Sequence, residues 1–277
     1  YLRRISNQKK KQEMKPILRN PYRILGLLAG ASAREQDRQV KRLRQLIDAE
    51  QEIPVDFSFP ELRDLDRTIE TVNEASSRLN LDADKLAAAL FWFTFDNPIT
   101  DEAAFDALKE GDSETAIDIW RRLAYAADSE SYQQVTKKNA SAFHNLSTAY
   151  LAEYGLDADT LSLKLLFLES DSFLDFKSKI TDETYHISKI DAQLVFLNTL
   201  AAELDDPWQL IEYLSDLEFE AKDEYLNRFI QKPIQSIEDK IEQAKNKRNA
   251  EKNNALKAGQ KLWKECKDEL EKLESLL

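Results

Sequence analysis

Residues 100–125 read TDEAAFDALKEGDSETAIDIWRRLAY, and this stretch decides the class of fold. Thr100 can cap a helix whose first turn holds Asp101 and Glu102, acids that complement the positive end of the helix dipole. That helix runs through Ala103, Ala104, Ala107 and Leu108 to Gly111, where glycine can stop it. A second helix follows at once, Ser113 to Tyr125, with Ala116, Ile117, Trp120 and Leu123 on one face. Three- and four-residue spacing of this kind is the period of an amphipathic helix. The stretch reads as a helical hairpin.

The pattern continues outward in both directions. After a polar stretch, Asp128 to Asn139, comes a helix from Ala140 to Tyr154, closed by Gly155. Leu161 to Phe176 is strongly apolar, Thr181 is placed to cap a helix from Asp182 to Leu204, and Pro207-Trp208 opens another through Leu217. On the N-terminal side, Gln51 to Pro60 reads as a loop. Glu61 to Leu79 reads as a helix with Leu62, Leu65, Ile69, Val72 and Ala75 inward. Asp82 or Asp84 could cap Lys85 to Phe95, whose end, Phe91-Trp92-Phe93-Thr94-Phe95, is the most apolar spot in the chain and suggests a buried central helix. Asn20-Pro21 opens a short apolar turn ended by Gly30, and Ser32 caps a helix from Ala33 to about Glu50.

Composition supports the same class. The 277 residues include only 5 glycines and 7 prolines, well under the usual shares of about 7% and 5%. Sandwiches, barrels and wound sheets need those residues at their turns, so an all-α fold is expected. With 42% hydrophobic and 32% charged residues the chain can bury a core, and its length suggests one or two domains. The longest uncharged stretches, Ile24 to Ala33 and Leu86 to Phe95, fall short of the ~20 residues that span a bilayer. No signal peptide is visible. A first residue of Tyr1 and an uncapped end at Leu277 suggest a trimmed or processed product with further sequence on either side. Cys266, the one cysteine, excludes an internal disulfide and a cysteine-based metal cluster. A reducing, cytoplasmic location fits.

Charge is uneven. Residues 1–50 hold 13 Lys/Arg and 5 Asp/Glu, a net of +8; subtraction from totals of 39 and 51 leaves 26 and 46, a net of −20, for the rest. A basic head on an acidic body points to nucleic acid, a membrane surface or an acidic protein as a contact for the head. The acidic body argues against a nucleic-acid footprint over the whole chain. On the helix from Ala33, Val40, Leu43, Leu46 and Ile47 share one face, and Arg34, Arg38, Lys41 and Arg42 lie opposite. These four are the candidate partner-binding residues.

No catalytic, cofactor-binding or metal-ligating residues are expected. His144 and His186, the only histidines, have no second histidine or cysteine at ligand spacing and read as helix-surface or partly buried residues. Five glycines do not supply a phosphate-binding loop. An enzyme working through carboxylates alone is the remaining catalytic alternative.

After Pro233, Ile234, Ile237, Ile241 and Ala244, then Leu262, Cys266, Leu270, Leu273 and Leu277, recur at helical spacing. This reads as a charged helical tail, coiled coil or helix lying on the body, broken near 248–254. Oligomerisation through this tail is one expectation.

Two resemblances rest on these residues. Gly111 with Ala116-x3-Trp120, and Phe143, Leu146, Ser147 and Tyr150 with aromatic-x2-Leu-small-x2-Tyr spacing, resemble the two halves of the tetratricopeptide-repeat signature over roughly 97–170. Ser147 stands where glycine is usual, and the terminal proline is missing. The run Asn20-Pro21-Tyr22-Arg23-Ile24-Leu25-Gly26-Leu27, then Ala31-Ser32 and a basic helix, resembles the opening of a J-domain, the co-chaperone module of heat-shock chaperone ATPases. That resemblance implies that Arg34, Arg38, Lys41 and Arg42 face the chaperone. The family's His-Pro-Asp tripeptide is absent: the stretch reads Gln51-Glu52-Ile53-Pro54-Val55-Asp56, so no stimulation of ATP hydrolysis is expected. Together these features look like bacterial proteins of J-like plus repeat type.

The expected organisation is a basic arm (1–19), a J-like domain (20–96), a tetratricopeptide-like hairpin domain (97–232) and a charged tail (233–277). The expected role is a non-catalytic scaffold or adaptor in a larger bacterial assembly, chaperone-linked or a defence complex, with protein partners and no cofactor. The alternative is a nucleic-acid- or membrane-surface-binding regulator using residues 3–44.

Overall fold

Helices make up the secondary structure of the described residues. The computed structural model describes residues 14–54, 56–59, 62, 65–127, 131–250 and 255–274. Among these there is no strand, only two isolated bridges, Ala29 with Thr94 and Tyr125 with Tyr132, so the fold is all-α. The expected basic arm falls largely on residues 1–13, outside the described residues. Two compact units divide at Glu220 and Ala221.

The first unit begins with α1 (Lys15–Leu18), α2 (Pro21–Leu25) and α3 (Ala33–Asp48). Asn20 caps α2 by accepting from Tyr22 N, and Gly26 ends it with φ of +68°, four residues before the glycine expected to do so. Ser32 and Glu35 form a full capping box at the start of α3, where each satisfies a backbone donor the helix leaves unpaired. The helix expected at Glu61 to Leu79 is shorter. It is α4 (Ile69–Arg78), which starts where Thr68 accepts from Thr71 N. Arg67, just before it, is drawn instead to the α2 carbonyls of Arg23 and Ile24.

The apolar run Phe91 to Phe95 is buried through Thr94 but is not helical. The preceding helix, α5 (Asp82–Ala89), stops short of it, and neither Asp82 nor Asp84 is its cap; Leu81 holds that position. Local turn bonds hold the amides of Phe91 and Trp92, and distant groups take up the backbone that follows. Phe93 O accepts from Ala29 N at 2.9 Å, Trp92 O meets His144 Nε2 at 2.7 Å, and the Asn145 amide bonds both Thr94 N and Thr94 O at 2.9 Å. Buried backbone groups need partners, and these supply them without a helix.

Next come α6 (Pro98–Lys109), α7 (Ser113–Ala124), α8 (Ala140–Glu153) and α9 (Ala158–Glu169), with α7 packed on α6, α8 on α7 and α9 on α8. Asn97, not Thr100, sits at the start of α6. Asp101 is buried there: its carboxylate accepts from Asp96 N, Asn97 N and Trp120 Nε1 at 2.8 to 3.0 Å. Trp120 stacks or meets edge-on with Phe93 and Phe105, and these with Phe59, with centroids 5.3 to 6.1 Å apart. Each large side chain buried this way contributes about 1.5–3 kcal/mol. The cluster joins residues on both sides of position 96, and the first unit spans that expected division.

The buried central helix is α8, covered from Ala140 to Leu151. Its buried His144, Asn145, Ser147 and Thr148 each find a hydrogen-bond partner. Ser147 donates to Thr160 O at 2.8 Å where α8 and α9 cross. The apolar stretch from Leu161 is two helices, α9 and α10 (Ser172–Ile180). Thr181 ends α10 rather than capping the next helix. That helix, α11 (Lys189–Glu203), starts at Ser188, whose hydroxyl accepts from Asp191 N. Pro207 opens α12 (Trp208–Ser215).

In the second unit, α13 (Lys222–Ala250) packs with α14 (Ala255–Glu274). Pro233 lies inside α13, which begins at Lys222 with Asp223 and Glu224 in its first turn. The break expected near 248–254 falls in part on residues 251–254, outside the described residues. Ile237 and Cys266 are buried, which fits a seam between paired helices.

Candidate interaction surface

Helix α3 is amphipathic because its apolar and basic residues keep separate registers. Val40 and Leu43 are buried, Leu46 and Ile47 half-buried, and Arg34, Arg38, Lys41 and Arg42 are all exposed. At ~100° per residue the four cations fall within about a quarter turn. Arg34 and Arg42 lie about 12 Å apart along the axis at ~1.5 Å per residue.

Neighbouring groups fix the helix from below. Arg44 Nε donates to Asn73 Oδ1 on α4 at 2.9 Å, and Gln39 Nε2 to Asp56 Oδ2 at 3.0 Å. Asp56 also accepts from Ser58 N at 3.0 Å and pairs with Arg67 at 3.2 Å. Arg67 in turn donates to Ile24 O at 2.7 Å and Arg23 O at 3.1 Å. Buried Arg23 donates to Ser58 O and Leu18 O at 3.0 and 2.8 Å. Burial, with Arg67 beside it, lowers the Arg23 guanidinium to about 10, so it stays charged at neutral pH. These arginines serve the fold. The four on the outer face of α3 are exposed, and among the described residues none of them makes a comparable buried bond.

A second cluster lies in the core, and sequence reasoning missed it. His144, expected at or near the surface, is fully buried on α8. Lys164 of α9, also fully buried, brings its Nζ to His144 Nδ1 at 3.0 Å, His144 O at 3.1 Å and Thr148 Oγ1 at 3.2 Å. His144 Nε2 faces the carbonyl of Trp92, so Nε2 carries the proton and Nδ1 accepts from lysine. Burial pushes the Lys164 amine well below its usual range, and burial together with Lys164 does the same to His144. The spacing of twenty residues between them gave no local signal; only an all-round buried α8 would have pointed to it. This cluster is enclosed and holds helices together. His186, by contrast, is exposed. Among the described residues no group of three His, Cys, Asp or Glu is arranged to hold a metal, and no helix is long and apolar enough to cross a membrane.

No protein family matches the chain, and neither the curated proteins nor the solved structures give a match.

Proposed function

We propose that this chain is a non-catalytic protein–protein interaction scaffold, a cytoplasmic adaptor subunit of a larger bacterial assembly, that offers the outer face of α3 to an acidic partner protein. The observation that carries this reading is the division of labour among the head's cations. Arg23, Arg44 and Arg67 are tied into the fold, while Arg34, Arg38, Lys41 and Arg42 project together from a capped helix. A row of like charges projecting from one capped helix favours a partner of opposite sign, and Glu35 beside Arg38 is an acid on the same helix.

The resemblance of this head to a J-domain makes a heat-shock chaperone the first partner to try, with the helix pairs α6 to α9 as a second, repeat-like surface. Asp56 ends the stretch where the family's tripeptide would fall, and Arg67, Gln39 and Ser58 occupy its carboxylate. Binding without a rise in chaperone ATP hydrolysis is the expected behaviour. A nucleic-acid or membrane-surface contact through residues 3–44 is the second reading, favoured by the +8 charge of residues 1–50.

The test is a comparison of the wild-type chain with a variant carrying Arg34→Glu, Arg38→Glu, Lys41→Glu and Arg42→Glu. Deleting residues 1–50 would instead remove buried Ile17, Tyr22, Leu25, Val40 and Leu43. In native-host pull-downs treated with nuclease, the wild type should hold one stoichiometric acidic protein that the variant loses. Equal recovery by both chains would sink the proposal; release of the captured material by nuclease would favour the second reading.

A further inference from the structure

Trp263 is 69% exposed on α14, and Leu270, seven residues on, is 47% exposed. Seven residues return a helix to within about 20° of the same direction, so the two side chains form one stripe. Gly259, four residues before Trp263, flanks that stripe, and a Cβ there would meet nothing within 4 Å. Buried Cys266 lies about 60° round the helix from Trp263. The stripe is therefore a second apolar edge of α14. In the sequence, Leu256 and Leu277 continue its seven-residue spacing.

The charges on α14 divide at the middle of this stripe. Residues 255–264 contain Lys257, Lys261 and Lys264 and no acid, a net of +3. Residues 265–274 contain Lys267 and Lys272 against Glu265, Asp268, Glu269, Glu271 and Glu274, so 2 − 5 gives −3. Within the helix Lys261 reaches Glu265 at 4.0 Å and Lys267 reaches Glu271 at 3.3 Å. Exposed pairs of this type are weak and leave the dipolar layout in place.

We propose that the Trp263–Leu270 stripe docks a second copy of this chain, α14 against α14 in antiparallel order. A two-fold axis makes such an interface self-complementary, and equal and opposite halves meet that demand: the +3 half of each helix lies along the −3 half of the other. Parallel pairing would set like charge on like charge. Two α13–α14 hairpins joined in this way make a four-helix bundle, the usual way to bury such a stripe.

The experiment is sedimentation of the full chain across a concentration series. The wild type should dimerise, and Trp263→Glu with Leu270→Glu should weaken the dimer by about 100-fold, as for loss of an interface hot spot, with helical circular dichroism unchanged. Added salt should loosen the wild-type dimer, since screening weakens attraction between opposite charges. Two charge variants keep the test sound should the first one unfold. Lys257→Glu, Lys261→Glu and Lys264→Glu make the helix acidic throughout, and Glu265→Lys, Asp268→Lys and Glu271→Lys make it basic throughout. Each alone should fail to self-associate, and the two should pair when mixed. A wild type that stays monomeric, a dimer indifferent to all these changes, or one that salt tightens would each overturn the proposal.

Discussion

Lys164 Nζ lies 3.0 Å from His144 Nδ1 with both side chains fully buried, and no carboxylate is among the bonded partners of either side chain. Three acceptors face the amine, two of which a neutral amine can serve at once, and one carbonyl faces the imidazole, while a buried charge would have no carboxylate counterion. Such a site favours the neutral forms.

Stability should therefore rise with pH. Both groups have folded pKa values below their unfolded ones of 6.5 and 10.5. Within each interval the unfolded chain binds more protons than the folded chain, and each group adds a slope of at most about 1.4 kcal/mol per pH unit. The His144 contribution is lost as pH falls below 6.5, and the Lys164 contribution grows as pH climbs towards 10.5. Urea denaturation over a pH series should show both limbs. Lys164→Met should flatten the alkaline limb; an unchanged slope there would mean the amine is charged in the fold.

Asn145 should be among the most sensitive polar residues of the chain. Its side-chain oxygen accepts from Thr94 N and its amide donates to Thr94 O, both at 2.9 Å and buried. Asn145→Ala strands two backbone groups at about 1–3 kcal/mol each. Asn145→Asp keeps the acceptor and loses the donor, adding a buried charge, and should be no better. Thermal unfolding of the two variants checks this.

The residues at this site also mark how much of the fold could be read beforehand. The N-cap at Ser32 and the buried face of Val40 and Leu43 were legible because their causes are local: a cap, a period and a charge stripe within one helix. The basic face of α3 was legible for the same reason. The unwound run Leu90 to Thr94 was not, since apolar composition announces burial but not which groups take the backbone hydrogen bonds, and here they come from Ala29, His144 and Asn145. Likewise α8 carries His144, Asn145, Ser147 and Thr148, residue types usual on a surface. Their partners lie on α9 and on the run before α6, out of reach of any local pattern.

Gly26→Ala should destabilise the head by more than a turn glycine usually costs. The φ of +68° alone disfavours a side chain by about 1 kcal/mol. A Cβ would also sit 2.0 Å from Asp56 Oδ2, and that carboxylate cannot swing away without leaving Arg67, Gln39 and Ser58. A loss of about 2–3 kcal/mol by urea denaturation is expected. Adding Asp56→Ala should recover part of the clash and none of the φ cost. A double variant less stable than the wild type by the full sum of the two single losses would show that the two residues do not meet.

The charge reversal on α3 should separate binding from folding. Arg34, Arg38, Lys41 and Arg42 are exposed, and surface substitutions away from special backbone sites usually change stability by under about 0.5 kcal/mol each. Replacing four cations on one face also relieves repulsion at the i and i+4 pairs Arg34–Arg38 and Arg38–Arg42, but four glutamates restore repulsion of equal size. Folding stability should stay nearly constant while capture of an acidic partner is lost. The matching neutral variant, with glutamine at the same four positions, should lose capture in part and show a weaker dependence on salt, because fewer opposite charges remain to be screened. Full capture by the glutamine variant would mean that contact shape, not charge, makes this surface a docking site.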